Sequence, residues 1–294
     1  DFTDADLYVP KGTKALYEAT VGWKNFKPYI YEMNSDQPED AVTLTAKSYT
    51  REYGEANPTF GYEVTEGSIT SGTPTITCSA TETSPVGTYP IVISQGSVSN
   101  SNVTLVNGTL TIIKAPLTIT ARNKTMDYGS KGPTLEVDYA GLKNNESKPA
   151  WITEPTISTT ATQTSNAGTY PITISGGEAK NYNVTVNPGT MTIKKVALTA
   201  TTQNATREYG DENPDFILSY SGLKNNETAP AWTVEPSFTT PATKTSPVGT
   251  YYINAAGGEA KNYYVEYVNN GKLTVTKAPL TATARSMSKL QGDS

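Results

Sequence analysis

Arg51-Glu52-Tyr53-Gly54, Met126-Asp127-Tyr128-Gly129 and Arg207-Glu208-Tyr209-Gly210 are three copies of one short motif that ends in Tyr-Gly. An alternating stretch precedes each copy, as Leu117-Thr118-Ile119-Thr120-Ala121 does in the second. Alternation of apolar and polar residues indicates a strand with one buried face. The tyrosine ring is expected to pack on a sheet with its hydroxyl bonded locally, and the glycine to permit a turn closed to other residues.

A Gly-Thr-Tyr step follows each motif, beginning at Gly87, Gly168 and Gly249, which are 81 residues apart both times (168 − 87 and 249 − 168). A fixed period of this length indicates tandem domains. The spacing predicts three repeats, the first of them shortened, and the start of a fourth. Their predicted ranges are 41–114, 115–195, 196–277 and 278–294.

Composition limits the possible functions. A length of 294 residues allows two or three domains, and a hydrophobic content of 36% suits small β modules with little core in each. The net charge is −5 without a basic cluster, which argues against nucleic acid and anionic membranes as partners. No apolar run approaches the roughly 18 residues that would predict a membrane-spanning helix.

Period-two runs predict half-buried strands in every repeat. The last two strands of each repeat are predicted to form a hairpin, because Asn107-Gly108 and Asn270-Gly271 favour a type I′ turn, whose two central residues have positive φ. The fold class that follows is mainly β, built from tandem small β-sandwich or β-grasp-like domains.

The second and third repeats share a segment that the first lacks. It reads Gly141-Leu142-Lys143-Asn144-Asn145-Glu146 and then Gly222-Leu223-Lys224-Asn225-Asn226-Glu227. We predict a loop with a short helical turn here, followed by Trp151 or Trp232. Each Trp is interpreted as a plug for a small core; the alternative is a sugar-stacking, ligand-binding platform.

Residues 1–33 differ from the repeats and predict a strand, a helix and a second strand. The wording of this stretch, Leu7-Tyr8-Val9-Pro10-Lys11-Gly12-Thr13 and later Gly22-Trp23-Lys24-Asn25-Phe26, resembles the last turn of a BspA-like leucine-rich repeat. The resemblance implies a short α/β cap at the end of an upstream solenoid. The alternative is an appendage of the first β domain. The polar residues 34–40, which include Pro38, are predicted to be a linker.

The order of motifs over residues 41–294 resembles the MBG domain of the YG type. The elements that carry this resemblance are the Ala-Pro-Leu-Thr start, Tyr-Gly, Gly-Leu-Lys-Asn-Asn-Glu, Gly-Thr-Tyr and Asn-Tyr. Such domains occur in tandem in large bacterial surface and secreted proteins, many of them adhesin-like. The resemblance therefore implies an extracellular or cell-surface location. It implies no particular ligand.

The residues that chemistry would need are missing or scattered. The chain has no His and one Cys, which leaves no catalytic triad, no disulfide and no thiolate zinc site. Acids gather at Glu208, Asp211, Glu212 and Asp215, but they do not recur in the second repeat, so we interpret them as a solvated loop. Cys78 is predicted to be a small inward side chain on the same face as Ile76. We therefore expect no enzyme, no cofactor and no metal.

Two functions fit these observations. The first is a non-enzymatic stalk or adhesion module of a bacterial surface or secreted protein, which presents an upstream leucine-rich-repeat region. The second is an array of carbohydrate- or protein-binding modules with a site in individual repeats. In either case a host or matrix protein or a glycan is the expected partner, and the fragment is expected to be a monomer without membrane insertion.

The junctions between repeats predict an elongated array. The junctions Ile112-Ile113-Lys114-Ala115-Pro116-Leu117 and Lys195-Val196-Ala197-Leu198 lead directly from one predicted strand into the next. Because strands of ten residues span about 33 Å, three modules end to end would approach about 100 Å. Small-angle scattering measures this directly, and the radius of gyration of one compact globule would contradict it.

Overall fold

The computed structural model describes residues 6–23, 26, 29–33 and 40–288. They lie in two compact units. The first contains the described residues within Asp1–Thr118, Tyr139–Glu154 and Gly177–Thr185, and the second contains those within Ile119–Asp138, Pro155–Gly176 and Val186–Ser294. The second repeat therefore contributes to both units. The predicted linker lies outside the described residues except for Asp40, and so do residues 289–294 of the predicted fourth repeat.

The N-terminal segment is a strand, a helix and a strand, in the order that the sequence predicts. These are β1 (Leu7–Val9), α1 (Lys14–Ala19) and β2 (Ile30–Glu32), and the two strands pair in parallel. Val9 and Ile30 are buried. Trp23 is exposed, and its ring lies 5.9 Å from that of Tyr17.

The first repeat lies wholly in the first unit. Its strands are β3 (Ala41–Ala46), β4 (Tyr49–Glu52), β5 (Tyr62–Gly67), β6 (Thr75–Cys78), β7 (Gly87–Ser94), β8 (Asn102–Val106) and β9 (Gly108–Ile113). One sheet has the order β5-β3-β8 and the other β4-β9-β7-β6. The inward residues of β3, β7 and β9 form the core between the sheets, among them Leu44, Ile91 and Leu110, all fully buried. Burying each such side chain contributes about 1.5–3 kcal/mol.

The second repeat contains nine strands. They are β10 (Ala115–Ala121), β11 (Lys124–Asp127), β12 (Val137–Ala140), β13 (Trp151–Thr153), β14 (Thr156–Thr159), β15 (Gly168–Ser175), β16 (Glu178–Ala179), β17 (Tyr182–Asn187) and β18 (Gly189–Lys194). The first unit holds the antiparallel pair β13-β16. The second unit holds a four-stranded sheet of order β11-β18-β15-β14. That sheet repeats the β4-β9-β7-β6 arrangement of the first repeat.

The third repeat lies in the second unit. Its strands are β19 (Val196–Thr202), β20 (Ala205–Glu208), β21 (Leu218–Ser221), β22 (Trp232–Val234), β23 (Ser237–Thr239), β24 (Gly249–Tyr252), β25 (Asn254–Ala256), β26 (Glu259–Ala260), β27 (Tyr263–Val268) and β28 (Lys272–Thr276). Ala242, Ile253 and Leu273 form its core together with the partly buried Phe216 and Phe238. Throughout the described residues, each sheet draws its strands from a single repeat or from the N-terminal segment. The chain is therefore mainly β, as the alternating pattern predicts.

The predicted hairpin at the end of each repeat is wrong. β8 pairs in parallel with β3, whereas β9 pairs with β4 and β7 in the other sheet, so the chain changes sheets at Asn107-Gly108. Neither residue has the positive φ that a type I′ turn needs. The glycine is required for a different reason: a Cβ on Gly108 would lie 2.5 Å from the carbonyl oxygen of Lys47. The same holds at Gly271, where a Cβ would lie 2.7 Å from the oxygen of Gln203.

A buried arginine anchors the loop before β7 in the first repeat. Arg51 Nε donates to Asn57 Oδ1 at 2.8 Å and its Nη2 donates to the carbonyl oxygen of Thr81 at 2.6 Å, while Asn57 Nδ2 donates to the oxygen of Ala80 at 2.7 Å. Because buried polar groups cost free energy unless they are hydrogen-bonded, these contacts fix the loop that leads to Val86.

The third repeat repeats this arrangement with Arg207 and Asn213, which bind the loop at Ala242 and Thr243. In the second repeat both partners are exchanged together. Met126 is buried where the other repeats have Arg, and Gly132 occupies the position of the Asn. In the second repeat an apolar side chain therefore stands in place of the buried arginine, and the asparagine that accepts its hydrogen bond in the other repeats is absent as well.

Candidate inter-repeat interface

The Tyr-Gly motif of the first repeat contacts the second repeat within the first unit. Tyr53 Oη donates a hydrogen bond to Glu146 Oε1 at 2.5 Å, and Tyr182 Oη donates to Glu146 Oε2 at 2.8 Å. The two tyrosine rings meet edge to face, with centroids 5.5 Å apart and an interplanar angle of 83°. One carboxylate therefore accepts from two repeats. Hydrogen bonds to an ionised acceptor are stronger than those between neutral groups.

The loop that carries Glu146 is a tight left-handed turn. Asn144 and Asn145 have φ of 53° and 56°, and Glu146 N–H donates to the carbonyl oxygen of Lys143 at 3.0 Å. This is the geometry of a type I′ turn, which Asn tolerates well. The predicted loop is present, but the predicted short helical turn is wrong. Tyr182 also holds the start of this turn, because its Oη accepts from Lys143 N–H at 2.9 Å.

Gly54 allows the two repeats to approach. Its φ is +81°, and a Cβ at this position would lie 2.3 Å from Cβ of Lys143. Real Cβ atoms do not approach so closely, so the position is closed to other residues on two grounds, conformation and space. The turn predicted from Tyr-Gly is therefore present. The tyrosine hydroxyl, however, bonds to a residue of the next repeat and not locally.

Two further contacts join the same surfaces. Lys114 Nζ donates to the carbonyl oxygen of Ala179 at 2.9 Å, and Val86 N–H donates to Asn181 Oδ1 at 3.2 Å. Asn181 is buried, and its own carbonyl oxygen accepts from Ala115 N–H at 3.0 Å. We call the group of Tyr53, Gly54, Lys114 and the Val86 N–H the donor face. We call the group of Glu146, Tyr182, Asn181 and the Ala179 carbonyl the acceptor face.

The second unit contains the same interface one repeat later. Its donor face belongs to the second repeat and its acceptor face to the third. The donor residues are Tyr128, Gly129, Lys195 and Ala167; the acceptor residues are Glu227, Tyr263, Asn262 and Ala260. Tyr128 and Tyr263 both donate to Glu227, and their rings again lie 5.5 Å apart at 83°.

The remaining distances in the second unit also agree with those of the first. Lys195 Nζ donates to the oxygen of Ala260 at 2.9 Å, and Ala167 N–H donates to Asn262 Oδ1 at 2.9 Å. A Cβ on Gly129 would lie 2.5 Å from Cβ of Lys224. Two copies with one geometry indicate that the interface is a property of the repeat.

The first repeat has no acceptor face. It lacks the segment that supplies the glutamate, and Ser101 occupies the position of Tyr182 and Tyr263. Its buried Asn100 is used differently, donating from Nδ2 to the carbonyl oxygens of Asp40 and Ser68. The glutamate and the tyrosine are thus lost together. This joint loss is the signal by which sequence comparison of the three repeats could have found the interface.

Burial raises the pKa of the interface tyrosines. The pKa of Tyr182 rises to about 12, because the hydroxyl is desolvated and donates to Glu146, although its bond from Lys143 N–H acts in the opposite direction. The same causes raise the pKa of Tyr263 further. The pKa values of Tyr53 and Tyr128 are also raised, first by desolvation and then by the hydrogen bond to the glutamate. All four hydroxyls therefore remain protonated donors at neutral pH.

The two Trp candidates lie beside the acceptor faces. Trp151 in β13 is half-buried and pairs with Ala179 of β16, while Trp232 in β22 pairs with Ala260 of β26. Ala179 and Ala260 are the residues whose carbonyls bind the lysines. The Trp strands thus support the lysine acceptors, and whether these rings also bind a ligand remains a prediction.

The other residues considered from the sequence do not form a centre. Glu208, Asp211, Glu212 and Asp215 are exposed, and Glu212 pairs with Lys244 at 3.1 Å. Among the described residues, no group of three or more acids and Cys could hold a metal ion. Cys78 and Ile76 lie on one face of β6 and are both half-buried. No helix in the described part of the chain is long and apolar enough to cross a membrane.

Repeated β domains joined by a recurring face-to-face interface define a tandem-repeat protein. The sequence model of the MBG domain (YGX type) matches residues 42–111, 117–192 and 198–274. The chain belongs to this family and contains three such domains in tandem. The match begins at residue 42, so it leaves the N-terminal segment outside. The leucine-rich repeat expected there gains no support beyond a short strand, helix and strand.

Three solved structures of tandem domains resemble the chain weakly. The I9–I11 tandem of titin shares 13% identity at a TM-score of 0.23, covering 81% of this chain and 100% of that one. Drosophila N-cadherin EC1-4 shares 6% sequence identity at a TM-score of 0.26, and the match covers 84% of this chain and 77% of that one. Three N-terminal domains of the bacteriophage RB49 outer capsid protein Hoc share 9% sequence identity at a TM-score of 0.24, and the match covers 81% of this chain and 99% of that one. No curated protein matches the chain. Values this low carry no functional information.

The two glycines of equal conformation give a direct test of the interface. Gly129 has φ of +80° and a Cβ there would lie 2.5 Å from Cβ of Lys224, whereas Gly210 has φ of +92° and a Cβ there would have no atom of the described residues within 4 Å. Gly210→Ala should lower the free energy of unfolding by about 1–2 kcal/mol through backbone strain alone. Gly129→Ala should lower the free energy of unfolding by about 1–3 kcal/mol more than this, because the added methyl group also overpacks the interface. Urea unfolding measures both, and equal losses would contradict the interface.

The raised tyrosine pKa values predict a loss of stability in alkali. Below pH about 10 these tyrosines are protonated in both the folded and the unfolded chain, and their contribution is complete. As the pH rises from about 10 towards the folded pKa, the unfolded chain loses protons first. Each such group then lowers the free energy of unfolding by at most about 1.4 kcal/mol per pH unit.

Urea unfolding at several pH values measures this slope. Tyr182→Phe should reduce it, whereas Tyr252→Phe, which removes an exposed hydroxyl, should leave it almost unchanged. Lysines titrate in the same range, and for that reason the two tyrosine variants are compared with each other. An unchanged slope in Tyr182→Phe would show that Tyr182 ionises normally in the folded chain.

Proposed function

We propose that this chain is a non-enzymatic structural array of a bacterial surface or secreted protein, in which it acts as a stalk or adhesion module. The observation that carries this proposal is the interface itself. The segment that distinguishes the second and third repeats supplies Glu146 and Glu227, and both carboxylates are occupied by tyrosines of the preceding repeat. The carboxylates that distinguish the second and third repeats thus serve to join neighbouring domains.

A stalk needs neighbouring domains that hold their orientation under load. Each interface combines a shared carboxylate, an aromatic pair, a lysine bound to a carbonyl and an asparagine bound to a backbone N–H. Several contacts that must break together resist separation better than the flexible linkers typical of independent domains. The extracellular location and the upstream leucine-rich repeat belong to this proposal through sequence resemblance. A host or matrix protein or a glycan remains the proposed partner.

The rival function is an array of binding modules. It would use the half-buried Trp151 and Trp232 and an exposed apolar residue of each of their strands, Ile152 in β13 and Val234 in β22. The first repeat has no equivalent Trp, which disfavours an equal site in every repeat. A panel of glycans and matrix proteins separates the two functions, because binding lost in Trp151→Ala and Trp232→Ala would favour the rival.

Force spectroscopy on the full chain, tethered at its two ends, tests the stalk. Replacing Tyr53 and Tyr128 with Phe removes one hydrogen bond to each glutamate and keeps both rings. This variant should yield at a lower force than the native chain. Tyr209→Phe is the matched control, because this hydroxyl has no partner among the described residues, and it should yield at the native force.

Two results would contradict the proposal. One is an equal yield force for the native chain, the double variant and the control. The other is turnover in a glycosidase, protease or esterase screen with metals supplied, provided that mutating one carboxylate pair abolishes it.

A further inference from the structure

The third repeat ends in a donor face that is formed but not covered. Tyr209 N–H donates to the carbonyl oxygen of Thr276 at 2.9 Å, as Tyr53 N–H does to Ile113 and Tyr128 N–H to Lys194 at the same distance. Gly210 has positive φ like Gly54 and Gly129. The backbone of the motif is therefore held in its interface conformation without any contact from an acceptor face.

The exposure of this face differs sharply from that of the other two. Tyr53 and Tyr128 are each 4% exposed, whereas Tyr209 is 48% exposed. Val248, which occupies the position of Val86 and Ala167, is 51% exposed. Among the described residues, no atom outside the chain neighbours of Gly210 lies within 4 Å of a Cβ built on it. Lys277, the counterpart of Lys114 and Lys195, is exposed with no bonding partner in the described part of the chain.

The described residues contain three donor faces, at Tyr53, Tyr128 and Tyr209, and two acceptor faces, at Glu146 and Glu227. Both acceptor faces are filled by the first two donor faces. The first repeat has Ser101 and no glutamate segment, so it supplies none. Within the part of the chain that the structure describes, a second copy therefore offers no free acceptor face.

The residues after Lys277 also favour a further repeat as the occupant of this face. Ala278-Pro279-Leu280-Thr281-Ala282-Thr283-Ala284 differs from the sequence of β10 at one of its seven positions. In β10 the alternate residues Ala115, Leu117, Ile119 and Ala121 are buried. In residues 278–284 the same pattern is exposed, with Leu280 at 93%. A strand pattern that belongs inside a repeat thus lies next to an uncovered donor face.

We propose that the Tyr209-Gly210 face is a docking surface for the acceptor face of a further repeat of this kind. Tyr209 Oη donates to the glutamate of that repeat's Gly-Leu-Lys-Asn-Asn-Glu segment. Lys277 binds the carbonyl before its Asn-Tyr motif, and Val248 N–H binds its asparagine. This inference rests on the proposed joining role of the interface, and it assigns the specificity to chemistry: one carboxylate, one tyrosine and one buried asparagine.

The test extends the full chain by one repeat. A copy of residues 196–277 is attached after Lys277 in place of residues 278–294, so that the new junction repeats Lys195-Val196. The appended copy carries a heavy-isotope label, introduced by ligating two separately produced segments, so that its peptides differ in mass from the identical peptides of residues 196–277. Tetranitromethane then nitrates the tyrosines, and mass spectrometry of peptides gives a rate for Tyr53, Tyr128 and Tyr209 separately. Nitration proceeds through the phenolate, whose fraction falls about tenfold for each unit by which the pKa rises.

In the native chain, Tyr209 should react faster than Tyr128, because Tyr209 is 48% exposed and Tyr128 is 4% exposed. In the extended chain, its rate should fall to that of Tyr128. A second extended chain carries Glu227→Gln and Tyr263→Phe in the appended copy alone, and it should restore much of the reactivity of Tyr209. The tyrosine of the appended copy that corresponds to Tyr251 reports whether the copy has folded.

The outcomes separate this inference from the proposed function. Rapid nitration of Tyr53 and Tyr128 in the native chain would overturn the interface on which both depend. Protection of these two, with Tyr209 still fast beside a folded appended repeat, would overturn the docking surface alone. Self-association of the native chain that Tyr209→Ala abolishes, measured by sedimentation, would assign the surface to a second copy and overturn the occupant proposed above.

Discussion

A half-buried carboxylate that accepts hydrogen bonds from two tyrosines, one from each of two repeats, is the interaction on which the joining of these domains depends. Glu146 binds Tyr53 and Tyr182, and Glu227 binds Tyr128 and Tyr263. The charge needs donors because a partly desolvated carboxylate without hydrogen bonds is costly. Since one of the two donors comes from the neighbouring repeat, both carboxylate oxygens accept a tyrosine hydrogen bond only when the repeats are docked. Docking thereby becomes part of the stability of the loop that carries the glutamate.

The surrounding sequence follows from this requirement. The glutamate must stand out from its own repeat, which the left-handed Asn-Asn turn achieves. The tyrosine must reach it, which requires the backbones to approach until only glycine fits opposite Lys143 or Lys224. Lys114, which follows the last strand of the first repeat, needs a hydrogen-bond acceptor, and the short β13-β16 pair supplies the carbonyl oxygen of Ala179. The first repeat, which has Ser101 in place of the second tyrosine, lacks the glutamate segment as well.

The sequence allowed the strands to be predicted but not the interface, and the reason is physical. Alternation in a run such as Leu117-Thr118-Ile119 reports which residues face a core, and this is a local property. The partner of Tyr53 lies 93 residues further along the chain, and no local pattern encodes that distance. Asn107-Gly108 favours a type I′ turn in the sequence because glycine serves two purposes, positive φ and close backbone approach, and only the structure distinguishes them. The Asn-Asn segment predicts a helical turn because a helical and a type I′ backbone both close a four-residue turn, and they differ in the sign of φ.

The interior and the interface respond differently to change between repeats, and this difference shows where the constraint lies. In the interior, the buried pair Arg51 and Asn57 is exchanged for Met126 and Gly132, with the fold of the repeat retained. Such an exchange succeeds because an apolar side chain of similar length fills the space and leaves no charged group buried without its partner. The interface admits no similar exchange of one partner, since its two halves belong to different repeats. A repeat that lost its glutamate would leave the tyrosine of its neighbour without an acceptor, so adjacent repeats must match each other even where their interiors differ.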